Sequence, residues 1–244
     1  MGKFMADLHI HSTLSPCGSL EMSPKKIIER AYNLGINLIS ITDHNSIENS
    51  LVASNLAKKY NIHYLFGMEI QTKEEIHILV YFDNYEDILD VYKIVYDNLP
   101  DIKIDPEIFG DQVVVDEYEN IIKFENKLLL NSTELTLKEL NEIVYKKGGL
   151  FIPAHINSET FSIISQIGFI PDNIIIDFLE ITYNIKKDEF IKIYPNYSQY
   201  KYLSFSDSHY LNEIGRSVTV FELDYPNVSS LKKVDNNKIL IKRR

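Results

Sequence analysis

Six of the seven histidines in this 244-residue chain fall in short motifs that carry a carboxylate or close an apolar run. The motifs are Asp7-Leu8-His9-Ile10-His11, Thr42-Asp43-His44-Asn45, Ile76-His77-Ile78, Pro153-Ala154-His155 and Ser206-Asp207-Ser208-His209, and only His63 lies outside them. Imidazole nitrogens and carboxylate oxygens together suit divalent transition metals. Because each motif belongs to a run that is typical of a β-strand, the pattern predicts a polynuclear metal site supplied by several strand ends.

Two of these motifs place their chemical groups on one face of a strand. Side chains alternate along a strand, so His9 and His11 point to the same side and can bind one ion, and Asp7 shares that side. The same alternation puts Asp207 and His209 on one face. Taken alone, each pair is weak support, because exposed or hydrogen-bonded histidines close together in sequence are common.

Glu69 lies inside the apolar run Leu65-Phe66-Gly67-Met68-Glu69-Ile70. A charge buried in such a strand is costly unless it is paired or bound to a metal. A salt bridge is the simpler explanation, but the chain has only four arginines and none lies in a strand interior. The sequence therefore favours metal ligation, and a carboxylate has two oxygens with which it can bridge two ions.

The remaining histidines have simpler explanations when each is taken alone. His77 and His155 stand among apolar neighbours, where a single histidine is more often a hydrogen-bonded core residue than a ligand. His44 follows Asp43 at the end of an apolar run and could be a loop histidine paired with its neighbour. Six such residues at strands or strand ends would require repeated coincidence, so together they favour ligation.

Composition and charge restrict the class of protein. A hydrophobic fraction of 45% and a charged fraction of 25% predict one globular domain over residues 1–244. No tract is long enough to cross a membrane, no secretory signal precedes Asp7, and the single cysteine, Cys17, cannot form an internal disulfide, so we expect a cytoplasmic protein without membrane partners. The net charge of −10 disfavours long nucleic acids but leaves short oligonucleotides open.

Apolar, β-branched runs alternate with helical patterns along most of the chain. Clear helical signals are the cap Ser23-Pro24 and the capping box Thr136-x-x-Glu139, and further helices are predicted near 47–60 and 85–97. This alternation predicts an α/β fold with a mostly parallel sheet or barrel. Seven runs are predicted as strands, with an eighth candidate at 217–223; the seven are 4–10, 37–42, 64–70, 76–82, 149–154, 178–182 and 202–206.

Two places interrupt the alternation. The gap between Ile70 and Ile76 is too short for a crossover helix, so the flanking runs are either an antiparallel pair or one bent pair. The polar segment at about 98–133 contains Pro100, Pro106 and Gly110. We interpret it as an excursion over one end of the barrel, and we call residues 98–133 the excursion below.

The order of the motifs resembles that of the polymerase and histidinol phosphatase (PHP) superfamily, in its metal-dependent phosphoesterase branch. The resemblance covers residues 7 to 216 and rests on the motifs above together with Gly67-Met68-Glu69. It implies a distorted (β/α)7 TIM-like barrel with two or three divalent metal ions at the carboxyl ends of the strands, where barrel enzymes carry their sites.

The resemblance also implies a distribution of the ligands. One ion would take His9, His11, Glu69 and Asp207, and a second would take Glu69, His77 and His155, so that Glu69 bridges them. A third would take His44 and His209 with a residue from the loop after the first strand. Members of the family often have Asp or His in that loop, whereas this chain has Pro16 and Cys17, so Cys17 is either a thiolate ligand or a small structural residue.

These ligands predict a hydrolase acting on phosphate esters, with zinc, manganese or iron as the metal and Glu69 and Asp207 as catalytic ligands. A hydroxide held by two ions would attack a small phosphorylated metabolite or nucleotide. Asp7 and Asp43 are candidates for orienting the histidines, and Arg216 is a candidate clamp for the substrate phosphate or else a surface ion pair. Two alternatives are an exonuclease acting on short oligonucleotides and a catalytically silent, metal-stabilised scaffold or regulatory barrel.

Overall fold

The apolar runs and capping signals fold into twelve strands and eight α-helices. A computed structural model describes residues 1–244. The helices are α1 (Pro24–Asn33), α2 (Ser50–Lys59), α3 (Tyr85–Asp97), α4 (Pro106–Phe109), α5 (Leu137–Lys146), α6 (Ile163–Ile167), α7 (Lys187–Ile193) and α8 (Val228–Lys233), with short 3-10 turns at Pro195–Tyr197 and Asn236–Lys238. The strands are β1 (Gly2–Asp7), β2 (Leu38–Ile39), β3 (His63–Tyr64), β4 (Phe66–Gln71), β5 (His77–Phe82), β6 (Val113–Val115), β7 (Ile121–Phe124), β8 (Leu150–Pro153), β9 (Leu179–Glu180), β10 (Tyr202–Leu203), β11 (Ser217–Leu223) and β12 (Ile239–Arg243).

The predicted caps set the helix ends. The Ser23 hydroxyl accepts a hydrogen bond from the Lys26 N–H at 3.2 Å, and Pro24 opens α1. At the start of α5, Thr136 and Glu139 form the predicted capping box. The longest helix, α3, has 13 residues, and no helix combines the length and apolar character needed to cross a membrane.

Each of the eight predicted runs contains a strand, but the sheets differ from the prediction. The strands form four sheets, ordered β12-β11-β1-β2-β3, β4-β5-β8, β9-β10 and β6-β7. Only the pairs β1–β2, β2–β3 and β9–β10 are parallel. The mostly parallel sheet is therefore wrong, and the closed (β/α)7 barrel is not confirmed. A tight turn joins β4 to β5 antiparallel, which was one of the two alternatives for Ile70 and Ile76. The pairs β1–β11 and β5–β8 are antiparallel between strands that are distant in sequence.

Backbone hydrogen bonds and isolated bridges connect these sheets. His44 forms a parallel bridge to Glu69, and Ile10 forms one to Ser208. The Ile156 N–H donates to the Glu180 carbonyl at 2.9 Å. The ends of β1, β2, β4, β8, β9 and β10 therefore converge on one region, which holds the predicted ligands.

The core lies on both sides of this region. The largest buried group packs β4 and β5 against α3 and α5, and a second group packs β1, β8 and β11 together through residues such as Leu8, Ile152 and Phe221. Side chains of α1 and α2 bury a third group against β2. Burial of this apolar surface fixes the strand ends from which the polar groups project.

The excursion folds back on the loop after β1. It contains α4 and the β6–β7 hairpin, and Val113 donates its N–H to the Thr13 carbonyl at 2.8 Å. Asn45, beside His44, donates its side-chain amide to the carbonyls of Leu129 at 2.8 Å and Asn131 at 2.9 Å. The excursion is thus bound to two loops that carry predicted ligands.

Candidate metal centre

Glu69 lies at the centre of the histidines. It projects from β4, and only 1% of the residue is exposed. Five buried imidazoles surround its carboxylate. Its Oε1 lies 3.2 Å from His9 Nε2, 3.1 Å from His77 Nδ1 and 3.3 Å from His155 Nε2, and its Oε2 lies 3.4 Å from His11 Nε2 and 3.0 Å from His44 Nδ1.

Asp207 and His209 complete one side of the centre. Asp207 Oδ1 lies 3.3 Å from His9 Nε2 and 3.4 Å from His11 Nε2. The His209 ring stacks on His11 with centroids 4.3 Å apart. Cys17 is exposed as a residue, but its Sγ lies within 4.8 Å of ligand atoms of His11, His44 and His209. The structure therefore brings all nine predicted ligands into one cluster, which we call the nine-residue cluster.

The ligand atoms form three groups, each within 4.8 Å. The groups overlap more than the resemblance implied, because His11 and His44 each belong to two of them. They are His9, His11 and Glu69; His44, Glu69 and His77; and His11, Cys17, His44 and His209.

Three residues that the sequence analysis did not select hold the imidazoles in place. Glu180 contacts His9 Nδ1 with both oxygens at 3.1 Å, and it is 2% exposed. Ser15 Oγ lies 3.0 Å from His11 Nδ1, and Gln71 Oε1 lies 3.0 Å from His77 Nε2. Partners of this kind fix the tautomer and the orientation of a ligating histidine. Glu180 had a signal in the sequence, since it is a lone charge in the apolar run 178–181, as Glu69 is in its own.

Asp7 and Asp43 are buried beside the cluster but do not hydrogen-bond to its histidines. Asp7 accepts hydrogen bonds from the N–H groups of Ser206 at 3.0 Å and Gly215 at 2.9 Å, so it fixes the segment that carries Asp207 and His209. Asp43 accepts from the Ser15 hydroxyl at 2.7 Å, and Ser15 contacts His11. Asp43 therefore reaches a histidine only through Ser15.

Arg216 uses its donors within the protein. Its Nε donates to the Ser206 carbonyl at 2.6 Å, its Nη2 to the Asp207 carbonyl at 3.0 Å and its Nη1 to Glu213 at 3.0 Å. The guanidinium also covers the Tyr183 ring at 4.1 Å. These contacts favour a role for Arg216 in holding the backbone of Asp207, rather than the predicted role as a clamp for the substrate phosphate.

Backbone strain is concentrated at the cluster. Asn45, His155 and Asp207 have φ values of +48°, +29° and +48°. Non-glycine residues rarely adopt such angles, and they persist only where surrounding contacts enforce them. The His155 N–H donates to Glu180 Oε2 at 2.9 Å, and Arg216 binds the Asp207 carbonyl, so a charged side chain fixes two of these three strained residues.

The electrostatics of the cluster are those of a cation site. Burial acts to lower the pKa of His9, but the charges of Glu180, Asp207 and Glu69 outweigh it and raise that pKa well above its ordinary value. Burial likewise acts to raise the pKa of Glu69, but the imidazoles hold it well below its ordinary value. Burial and His209 lower the pKa of His11 to about 4. Negative charge is therefore concentrated beside buried ring nitrogens.

Several of these buried atoms have no hydrogen-bond partner. They are His9 Nε2, His11 Nε2, His44 Nδ1 and Glu69 Oε2. They lie close to one another without hydrogen-bond geometry, so they do not satisfy one another. An unsatisfied buried polar atom is costly, and a shared cation removes that cost. The residues present therefore fit the divalent metals that the nitrogen and oxygen donors suggest.

A cavity of about 380 Å³ opens onto the cluster. Its wall includes eight of the nine cluster residues, all but His9. Beyond them it is lined by Gln71, Leu130, Ser158, Thr160, Phe161 and Thr182. A volume of this size suits a small-molecule ligand.

Comparison with known proteins identifies related sequences and folds. An uncharacterised protein of Methanocaldococcus jannaschii is 36% identical over 78 residues, which is 28% of this chain and 45% of that protein. A 5'-3' exoribonuclease of Haemophilus influenzae is 41% identical over 76 residues, which is 30% of this chain and 27% of that protein. The chain thus spans less than half the length of either relative.

Among solved structures, a lesion-specific endonuclease of Pyrococcus furiosus is similar over 98% of this chain and 58% of its own, with a TM-score of 0.73 at 20% identity. That likeness concerns the fold. The sequence pattern of the PHP domain matches residues 7–147, more than half of the chain, and includes six of the nine cluster residues. The chain therefore belongs to the PHP domain family.

Proposed function

We propose that this protein is a metal-dependent phosphoesterase that hydrolyses a phosphate ester of a small phosphorylated metabolite or nucleotide. The observation that carries the proposal is the convergence of five buried imidazoles and Asp207 on Glu69, with ring nitrogens that have no hydrogen-bond partner. Membership of the PHP family and the cavity beside the cluster support it.

In this proposal the nine-residue cluster holds two or three ions of zinc, manganese or iron. One would be held by His9, His11, Glu69 and Asp207, a second by Glu69, His77 and His155, and a third by His44, His209 and Cys17. Such ions, when bound, make water more acidic and stabilise the charge of a phosphoryl transition state.

The protein's own residues orient this chemistry. Glu180, Ser15 and Gln71 fix three of the imidazoles. The side chain of Asp207 is 35% exposed, so it can contact water or substrate, whereas Glu69 cannot. The charge of His9 and the adjacent imidazole of His11 overcome burial and hold the pKa of Asp207 well below its ordinary value. Asp207 is therefore ionised and can orient a water molecule as a hydrogen-bond acceptor.

The proposal also includes a distorted barrel of seven strands. The ring would run through β1, β2, β4, β5, β8, β9 and β10, which arise from the seven predicted runs. Three links support it: the His44–Glu69 bridge, the Ile156-to-Glu180 hydrogen bond and the Ile10–Ser208 bridge. Closure of the seven strands into a barrel is part of the proposal, because each of these links is a single contact outside a regular strand ladder.

A panel of phosphate esters tests the activity. With added Mn²⁺ or Zn²⁺ we expect turnover of at least one nucleotide or sugar phosphate, and we expect His9→Ala and Glu69→Gln to reduce it at least about 100-fold. His63→Ala is the matched control, because His63 lies outside the cluster, and it should keep wild-type activity. Absence of turnover, or equal activity of His9→Ala and His63→Ala, would contradict the proposal.

Metal content tests the third group. We expect three equivalents in the wild type and two in Cys17→Ala, because the thiol completes that group. Burial and the charges of Glu69 and Asp43 raise the pKa of the Cys17 thiol, so a thiolate at this position requires a bound cation. Equal metal content in both proteins would make Cys17 structural.

A nuclease is the second candidate. The similarity to an endonuclease in fold and to an exoribonuclease in sequence favours it. The charge of −10 disfavours long nucleic acids, so short oligonucleotides are the substrates proposed for this candidate. Faster hydrolysis of an oligonucleotide ladder than of mononucleotides would select it, and metal loading without hydrolysis of either class would select a catalytically silent scaffold.

A further inference from the structure

Phe161 places an apolar ring at the wall of the cavity beside the cluster. The residue is 38% exposed, and its ring stacks on His77 with centroids 4.7 Å apart and an angle of 5° between the planes. His77 covers one face of the ring. The exposed part of the ring therefore belongs to its opposite face and edge.

The backbone holds this ring under strain. Phe161 has a φ of +56°, a conformation that is unfavourable for a bulky side chain. Its carbonyl accepts a hydrogen bond from the His77 N–H at 2.8 Å, and the next residue, Ser162, caps α6. Core packing does not explain this strain, because the residue is exposed. Strain of this kind is typical of positions that contact a ligand.

Orientation of His77 does not require Phe161, because Gln71 already fixes the His77 ring through Nε2 at 3.0 Å. Polar groups near Phe161 suit a sugar, since hydroxyls of Ser158, Thr160 and Thr182 line the same cavity. An aromatic face, residues with hydroxyl groups and a cluster that would hold metal ions for a phosphate match the three parts of a nucleotide.

We propose that Phe161 is the stacking platform for a nucleobase, so that the substrate class of this site is a nucleoside phosphate. The inference rests on the proposed function. Stacking on an aromatic side chain tolerates any base, because every base has a π-face. The same chemistry applies to a free mononucleotide and to the terminal nucleotide of a short oligonucleotide.

The chain contains no tryptophan, so Phe161→Trp creates a protein with a single reporter at the platform. We expect titration with a purine nucleoside monophosphate to quench its fluorescence, while ribose 5-phosphate leaves it unchanged. Phe169→Trp is the matched control, because Phe169 is also exposed but does not line the cavity. Equal responses of the two variants, or quenching by ribose 5-phosphate, would overturn the proposal.

Phe161→Leu tests the same point through catalysis with Mn²⁺. We expect its KM for the nucleoside monophosphate to rise about 10-fold to 100-fold, with kcat and metal content near wild type. Its KM for ribose 5-phosphate should not change. Equal losses of kcat/KM for the nucleoside monophosphate and for ribose 5-phosphate, together with reduced metal content, would contradict the proposal. They would assign Phe161 a purely structural role through His77.

The two measurements separate the platform from the activity. If wild-type protein hydrolyses no ester but Phe161→Trp is quenched by the nucleotide, the proposed function is wrong and the platform stands. If the wild type hydrolyses both substrates and Phe161→Leu changes neither KM, the platform is wrong and the function stands. A 5'-phosphorylated trinucleotide that quenches at lower concentration than the monophosphate identifies an oligonucleotide end as the preferred source of the base.

Discussion

Three of the imidazoles each depend on one partner residue at the ring nitrogen that does not face Glu69. Glu180 binds His9, Ser15 binds His11 and Gln71 binds His77, so these three partners decide which ring nitrogen faces Glu69. Glu180 does more than the others, because it also accepts the N–H of the strained His155. It therefore holds two neighbouring histidines of the cluster, His9 through its ring and His155 through its backbone.

Replacement of this carboxylate should weaken metal binding without removing a ligand. For Glu180→Gln we expect metal affinity to fall about 10-fold to 100-fold, because an amide neither matches the charge of the carboxylate nor fixes the same tautomer. Competition with a metal-binding dye measures the change. Glu222→Gln, an exposed glutamate paired with Lys3, should leave the affinity unchanged, and equal affinities of the two variants would contradict this role.

The ligands themselves were predictable from the sequence, whereas their supports mostly were not. His9, Glu69 and Asp207 stand in motifs whose residue types and spacing indicate metal binding. Ser15 and Gln71 carry no such signal, because their roles depend on how a loop and a strand end approach the cluster. Asp43 was selected for the right region, but the loop geometry inserts Ser15 between it and His11.

Among the elements, β4, which bears Glu69, lies in a narrow gap between its neighbours. A Cβ atom at Gly67 would lie 2.8 Å from Thr42 Cγ2 and 2.9 Å from Tyr81 Cδ1, and it would also meet Ser40 Oγ. Glycine thus allows β4 to pass between the end of β2 and β5. This close approach sets the depth at which Glu69 lies.

Gly67→Ala should therefore destabilise the fold. We expect the free energy of unfolding to fall by about 1–3 kcal/mol, because the added methyl group forces packed side chains apart. Urea unfolding measures it. Gly2→Ala is the control, since a Cβ at that position would lie 3.4 Å from its nearest atom. If Gly2→Ala lowered the free energy of unfolding as much as Gly67→Ala does, the steric explanation would be contradicted.

The fold of the excursion depends on the buried carboxylate of Glu125. Glu125 is 4% exposed and contacts the Lys123 ammonium at 2.7 Å, the Lys127 N–H at 2.9 Å and the Tyr96 hydroxyl at 3.0 Å. Burial acts to raise the pKa of Glu125, but the hydrogen bonds from Lys123 and Lys127 outweigh it and hold the pKa below its ordinary value of 4.5.

This shift predicts that acid loosens the excursion. A depressed pKa means that Glu125 stabilises the folded state above pH 4.5 and that this contribution is lost as the pH falls through its folded pKa. Hydrogen exchange of residues 112–128, taken relative to the intrinsic amide rate at each pH, should therefore become faster at acid pH in the wild type. In Glu125→Gln this exchange should be fast already at neutral pH. Glu107→Gln is the control, because Glu107 is an exposed residue of α4, and fast exchange in that variant at neutral pH would contradict the role of Glu125.

The position of the elements was more predictable than their pairing. All eight predicted runs contain strands, because apolar periodicity reports burial. Strand direction depends on which neighbours meet in three dimensions, so the antiparallel contacts of β5 with β8 and of β1 with β11 were not predicted. The hairpin of the excursion was also unforeseen, since its hydrogen bonds go to residues such as Thr13 and Asn49 outside the segment.

For the whole molecule, metal binding and stability should be coupled. Ions that bind only the folded state stabilise it by about 2.7 kcal/mol when their concentration is 100 times Kd. Removal of metal with a chelator should then lower Tm by about 5–10 °C in a chain of this length. His9→Ala should lose most of this difference and His63→Ala should retain it, so equal Tm values with and without chelator in the wild type would contradict the coupling.

Asp7 accepts hydrogen bonds from Ser206 and Gly215, partners that lie 199 and 208 residues away in sequence. His9 likewise depends on Glu180, 171 residues away. A ribosome must therefore make most of the chain before the first ligands can take their final orientation. The histidines of the amino-terminal motif emerge long before their partners, so we expect metal to enter the proposed site only after synthesis has passed Gly215.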